Sequence, residues 1–358
     1  MEPCRPVLNA PLSISTFRPM HPASVIKSPC SPIIFRSFHS LLSQHLPMAH
    51  NAADHISLPL YLSKAALPPA NIDPDLTPKR GASWPDSEGF SLSKGMHRQL
   101  QRVEELPLRE LELAVKCFRP VIDKVKVDLN AVTLPVPAIK EWDKEARAKL
   151  DVTDECSFRH YLQRFPFETA AAAVRAIDGV STLDNRYAKY HFERFKFAVI
   201  PSGEDLLKYY LFGPPLESLL YPNRSPEIER TVTPGIVIIT LPPWMFGPED
   251  FEEFTASGAY EDGAIDRDNA KHPGWLNSTK LAAALHDICR QYHYRRFVVT
   301  TYSYWAFGTW SLDWSTIQVT SPIVAEKTKE VTLIEMLVFW TQCARQRDAY
   351  WSLAPDML

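Results

Sequence analysis

The stretch RFVVTTYSYWAFGTWSLDWSTIQVTSPIVAEKTKEVTLIEMLVFW, Arg296 to Trp340, decides the fold class. Its first half is dense in β-branched and aromatic residues, and Phe297–Tyr302, Trp305–Ser311 and Ser315–Thr320 read as consecutive strands, with Asp313 in a tight turn. Its second half is a helix with a written start. Thr332 and Glu335 have the spacing of a capping box, and Val331 and Met336 flank it as a hydrophobic staple. Leu333, Ile334, Leu337, Val338 and Trp340 make most of the circumference apolar, so this helix is expected to lie buried against the sheet.

Upstream, Gly235 to Leu241 (GIVIITL) is a short apolar run bounded by prolines, as in a central strand buried on both faces. Gly247 followed by Pro248, Glu249 and Asp250 opens a helix, because proline tolerates the first helical position and carboxylates favour the positive end of the helix dipole. Leu281, Leu285, Ile288 and Tyr292 mark a longer helix opened by Asn277 or Ser278. Phe195, Phe197 and Val199 alternate as a strand. Ser202 and Asp205 have the form of an N-cap, which predicts a helix through Leu206, Leu207 and Tyr210 that ends at Gly213 and makes the pair a cap, not a hydrolytic dyad.

Earlier still, Phe158, Tyr161, Leu162 and Phe165 share a helical face, Pro166 is expected to stop that helix, and Ala170–Ile177 restarts one. Leu100, Val103 and Leu106, then Leu111, Ala114 and Val115, carry helical spacing with Pro107 and Pro120 as breaks, and Glu141–Leu150 reads as a short solvated helix. The expected architecture is therefore α/β (α+β): a globular domain over 151–351 with one mixed sheet of four to six strands flanked by helices. A short helical arm precedes it over 96–150. Residues 1–95, rich in proline and serine, are expected to be a disordered leader with too little apolar area to offset ordering entropy.

Within that leader, Met1 to His50 carries eight prolines, four basic residues (Arg5, Arg18, Lys27, Arg36) and one acid, Glu2, which is also the composition of a mitochondrial transit peptide. The competing reading is a start at Met48, with residence in the cytoplasm or nucleus. A net charge of −3 supplies no global positive field for phosphate backbones or anionic lipid, which disfavours nucleic acid as a partner. Six cysteines without a C-x-x-C pair read as reduced, intracellular thiols and not as a zinc ribbon or a disulfide framework. No run reaches the roughly 18 apolar residues of a membrane span.

Chemical motifs are sparse. Twelve glycines are scattered so that neither G-x-G-x-x-G nor G-x-x-x-x-G-K occurs, so no nucleotide cofactor is implied, and H-E-x-x-H and G-x-S-x-G are likewise missing. His286, Cys289 and His293 recur at i, i+3 and i+7 of one helix. Cys289 adjoins the apolar stripe, however, so the expectation is a buried thiol flanked by surface histidines and no metal site. Glu249 to Asp268 holds eight carboxylates but lacks the glycine of a calcium loop, and reads as a solvated acidic loop. Arg290, Arg295 and Arg296 read as a solvated helix end. The aromatics Tyr302, Tyr304, Trp305, Phe307, Trp310 and Trp314 lack the interleaved lysine or arginine of a single-strand stacking platform, which points to core packing or a protein-binding patch. Trp244, Trp305 and Trp310 are the binding candidates for a protein partner.

The runs PPWMFGPEDF (Pro242–Phe251), RFVVTTYSYWAFGTW, DWSTIQVTSPI (Asp313–Ile323) and TLIEMLVFW (Thr332–Trp340) resemble, in their order, a family of uncharacterised proteins of mushroom-forming fungi. The resemblance spans Thr233 to Trp340 and implies a source and a shared fold, with no activity attached. A more distant resemblance is to restriction-endonuclease-like folds, in which a mixed sheet with a tight strand meander carries a strand whose acid-x-lysine pair holds a metal. That strand falls at Gly235–Leu241, which has neither acid nor lysine, so the resemblance implies a catalytically dead module. The alternative is a metal-dependent nuclease or phosphodiesterase whose acids have migrated, for example to Glu193, Asp205 or Glu229.

Overall fold

The computed structural model describes residues 55–67, 69–72, 98–128, 151–152, 154–177, 198–200, 208–212, 235–260, 265, 276–325 and 330–345. In chain order the elements are β1 (His55–Ser57), α1 (Leu58–Lys64), β2 (Asn71–Ile72), β3 (Arg102–Glu105), α2 (Leu108–Ile122), β4 (Lys126–Asp128), β5 (Asp151–Val152) and α3 (Glu155–Leu162). A π-helical turn, Gln163–Phe167, joins α3 to α4 (Glu168–Ile177). Next come β6 (Ala198–Ile200), β7 (Lys208–Phe212), β8 (Ile236–Thr240), α5 (Pro248–Thr255), β9 (Gly258–Ala259), α6 (Asn277–Tyr292), β10 (Arg296–Thr300), β11 (Tyr304–Trp310), β12 (Thr316–Val319), β13 (Ile323–Val324) and α7 (Leu333–Arg345).

Among the described residues nine strands form one mixed sheet in the order β6-β7-β8-β10-β11-β12-β3-β9, with β13 also on β11. The strands β6, β7 and β8 run as an antiparallel meander. β8 is parallel to β10, which requires the crossover supplied by α5 and α6. β10, β11 and β12 are antiparallel neighbours, β12 is parallel to β3, and β3 is antiparallel to β9. The α/β class is as expected, and the sheet is wider than four to six strands.

Strand periodicity sorts the core into two layers, because successive side chains point to opposite faces. Ile236, Ile238, Val298, Trp305 and Phe307 face a layer made by α1, α2, α3, α4 and α7. Val237, Ile239, Phe297, Val299, Ala306, Trp310, Ile317 and Val319 face α5 and α6. Every residue of β8 is buried, as its uninterrupted apolar run predicts. Gly308 is required where β11 crosses β10: a Cβ there would lie 2.2 Å from Phe297 Cζ and 2.8 Å from the Gln318 carbonyl oxygen. Pro322 separates β12 from β13, and at that break the Thr320 hydroxyl oxygen accepts from the Phe307 N–H at 3.1 Å.

The cap of α7 forms as its sequence dictates. Glu335 N–H donates to Thr332 Oγ1 (3.1 Å) and Thr332 N–H donates to Glu335 Oε2 (2.8 Å). The same groups reach outward. Thr332 Oγ1 donates to the Leu62 carbonyl at 2.8 Å, and Arg119 grips the Glu335 carboxylate at 2.8 and 2.9 Å, so one box pins α1 and α2 to α7. Thr332→Ala is therefore expected to cost about 1–2 kcal/mol of unfolding free energy in urea titrations. A loss below a few tenths would mean that the box contributes nothing.

Four expectations are corrected. The globular core does not begin at Asp151: Leu58, Leu62, Leu111, Val115, Phe118 and Ile122 lie in the same buried cluster as Trp305 and Trp340, and β3 is an interior strand of the main sheet. Leu100 to Leu106 is not helical. Arg102–Glu105 pairs in register with Thr316–Val319, because an open edge of β12 offers a ladder and the leucine–valine spacing is short enough to serve either period. Pro107 does mark a break, at the N-cap of α2, but Pro120 does not, since it lies inside the helix. Nor does Pro166 stop the helix before it: the missing N–H is absorbed by the π-helical turn and helix resumes at Glu168.

The predicted helix over Leu206–Tyr210 is likewise overturned from Lys208 onward, where KYYLF pairs antiparallel with Ile236–Thr240. Aromatic-rich sequence favours the strand, and a serine-x-x-acid pattern does not determine the conformation of the residues beyond it. The disordered leader expected over 1–95 is also corrected, because β1, α1 and β2 form within it and Leu58 and Leu62 are buried; its residues 1–54, 68 and 73–95, and Glu141–Leu150, lie outside the described residues.

Candidate functional site

The carboxyl edge of the parallel strands β8 and β10 lies at the centre of the sheet, in the position where open α/β sheets commonly carry ligands. Thr240 and Thr300 are register partners there, and Lys208 of β7 is the register partner of Thr240 on the other side. The edge is closed by a tight turn. Tyr302 adopts φ 71°, a left-handed backbone unusual for a bulky residue. Three bonds hold it: its N–H donates to Thr300 Oγ1 (2.8 Å), its carbonyl accepts from the Trp305 indole N–H (2.6 Å), and Thr301 N–H donates to the Tyr304 carbonyl (3.0 Å). Tyr161 meets the Tyr302 ring edge-on at 5.2 Å.

Chemically this edge offers threonine hydroxyls. Thr301 Oγ1 is buried with no hydrogen-bond partner among the described residues. Among those residues no group of three or more His, Cys, Asp or Glu side chains is placed to hold a metal. Glu193, Asp205 and Glu229 lie outside the described residues.

The binding candidates separate. Trp305 and Trp310 are core residues, at 0 % and 1 % exposure, because alternation along β11 sends one into each layer. Trp305 meets Phe167 edge-on at 6.5 Å, and Trp310 tilts against Trp314 at 5.8 Å. Neither can bind a partner from the surface. Trp244 is half-buried just past β8, with its ring edge-on to Phe158 at 6.0 Å.

The second polar cluster is buried between α6 and the sheet. Arg98 Nε and Nη2 donate to the two Asp287 carboxylate oxygens at 2.9 and 2.6 Å, and Nη1 donates to the Ile265 carbonyl at 3.0 Å. His286 is not a surface histidine: it is fully buried, edge-on to Trp310 at 5.2 Å, with Nδ1 3.6 Å from Asp287 Oδ1. Neither of its ring nitrogens has a hydrogen-bond partner among the described residues. His293 is exposed at the left-handed end of α6, so the His-Cys-His spacing gathers no ligand set. No sequence signal announced the Arg98–Asp287 pair, whose members are 189 residues apart.

Arg296 is not a solvated helix end either. Its guanidinium donates to the Cys343 carbonyl and lies over the Trp340 ring at 5.7 Å. Burial pushes the Cys289 thiol far above its usual range, with a small opposing pull from Trp310, and burial pushes Cys343 up to about 12 against the nearby Arg296 charge. Both are therefore inert, whereas Cys117 and Cys156 are exposed. Alkylation of the native chain at pH 8, read by peptide mass spectrometry, is expected to label Cys117 and Cys156 and to spare Cys289 and Cys343 until denaturant is added. Rapid native labelling of Cys289 would contradict its place in the core.

Among the described residues no helix is long and apolar enough to cross a membrane. Comparison with protein-family models, with curated proteins and with solved structures gives no match.

Proposed function

We propose that this chain is a non-catalytic binding or scaffolding module built on a restriction-endonuclease-like sheet. The observation that carries the reading is β8. In the compared fold this strand presents an acid and a lysine to a cation; here Ile236, Val237, Ile238, Ile239 and Thr240 are all buried, the four aliphatics divided between the two cores. Phosphodiester hydrolysis of that type needs carboxylates to hold the ion that polarises the phosphate and activates water, and β8 supplies none. The antiparallel meander β6-β7-β8 supports the fold comparison, because a strand stands where the sequence had suggested an interrupting helix.

The second reading is a nuclease with relocated acids. One observation favours it: Lys208 stands on the adjacent strand in register with Thr240, three residues after Asp205. Incubating the full chain with plasmid DNA, single-stranded DNA and RNA in Mg²⁺ or Mn²⁺ separates the two. The binding-module reading expects no cleavage above a metal-free control. Cleavage abolished by Asp205→Ala or Glu229→Ala would replace it with the nuclease.

A further inference from the structure

We propose that the outer face of α2 is a homotypic docking surface, taking the same face of a second copy of this chain in antiparallel alignment. The inner face of the helix, Leu111, Val115, Phe118 and Ile122, is buried in the core. A second stripe, Glu110, Leu113, Cys117, Val121 and Lys124, runs along the opposite side and is exposed at every position. Leu113 is 61 % and Val121 50 % exposed, two of the five large hydrophobic side chains most open to solvent among the described residues. Asp123 keeps right-handed helical backbone (φ −64°, ψ −26°) beyond the last turn, so Lys124 continues the stripe.

The order of these residues selects the occupant. Their spacings, three, four, four and three residues, read the same in both directions, and the apolar residues lie inside a negative end and a positive end. A two-fold axis at Cys117 therefore sets Leu113 against Val121 of the second copy and Glu110 against its Lys124, twice over, with the two Cys117 side chains facing at the centre. Parallel pairing would instead place Glu110 on Glu110 and Lys124 on Lys124. Lys116 and Arg119 are committed within the chain, to Glu330 and Glu335, while Arg109, also exposed, stands one residue before Glu110 and off the stripe. One helix face with two apolar pairs and two ion pairs buries less than the roughly 800 Å² per partner of a standard interface, so the dimer is weak and concentration-dependent.

Sedimentation velocity of the full chain over a concentration series, in reductant, tests the pairing. The expected result is a reversible monomer–dimer equilibrium that Leu113→Glu abolishes, that Glu110→Lys alone weakens at least tenfold, and that the double swap Glu110→Lys with Lys124→Glu restores. All three altered side chains are exposed, so folding is not at issue. In a variant with Cys4, Cys30 and Cys156 changed to Ser, a short bismaleimide is expected to couple two chains through Cys117. A monomer at every concentration, a dimer indifferent to Leu113→Glu, a double swap that fails to restore association, or no Cys117 coupling would each overturn the proposal.

Discussion

Asp287→Ala is expected to lower the unfolding free energy by about 3–5 kcal/mol, the largest loss of any single polar substitution in the described core. The pair it breaks is bidentate and buried, and the alanine would remove both Asp287 bonds from the Arg98 guanidinium, which is 1 % exposed and keeps its Ile265 carbonyl bond. The penalty comes from a buried guanidinium losing this carboxylate, not from the worth of the pair, because desolvating two ions offsets most of their attraction. Arg98→Met combined with Asp287→Leu is accordingly expected to be far more stable than Asp287→Ala alone. Guanidinium denaturation of the three proteins measures this; a single variant as stable as the parent would show that the pair is solvated.

Trp305→Ala is expected to cost about 3–5 kcal/mol, while Trp244→Ala costs about 1 kcal/mol or less. Trp305 is fully buried, and its indole N–H holds the strained turn through the Tyr302 carbonyl, so its removal both leaves a cavity and takes this donor from the turn. Trp244 lies half in solvent against Phe158 and can be trimmed without opening the core. Thermal and denaturant melts compare the two. Equal costs would mean that the aromatics of β11 are not the interior of the fold.

The elements legible in the sequence were those whose signals are local. The capping box at Thr332 and Glu335, the apolar run of β8, and the three strands after Arg296 all carry their determinants within a few residues. The tight turn at Asp313 was legible for the same reason, since its carboxylate accepts from the Ser311 and Ser315 hydroxyls and the Ser315 N–H. The elements that escaped depend on distant partners. β3 is a strand because β12 is beside it, and β7 because β8 is, and neither neighbour can be read from RVEE or KYYLF.

The candidate site was less legible than the fold. Aromatic residues in a strand advertise contact, but only the alternation of a register fixed by both neighbouring strands shows that Trp305 and Trp310 go to opposite cores. His286 was misplaced because helical periodicity marks a face as polar or apolar from its own residues. Its burial depends on Trp310 and Trp314, which arrive from the sheet side.

On the proposed reading β8 is apolar core and holds no cation. Titrating the full chain with Mn²⁺ while following the electron paramagnetic resonance signal of the free ion tests it most directly. The account predicts no saturable site up to millimolar Mn²⁺. One tight Mn²⁺ per chain, lost on Asp205→Ala or Glu229→Ala, would contradict it and place a working cation site beside the sheet.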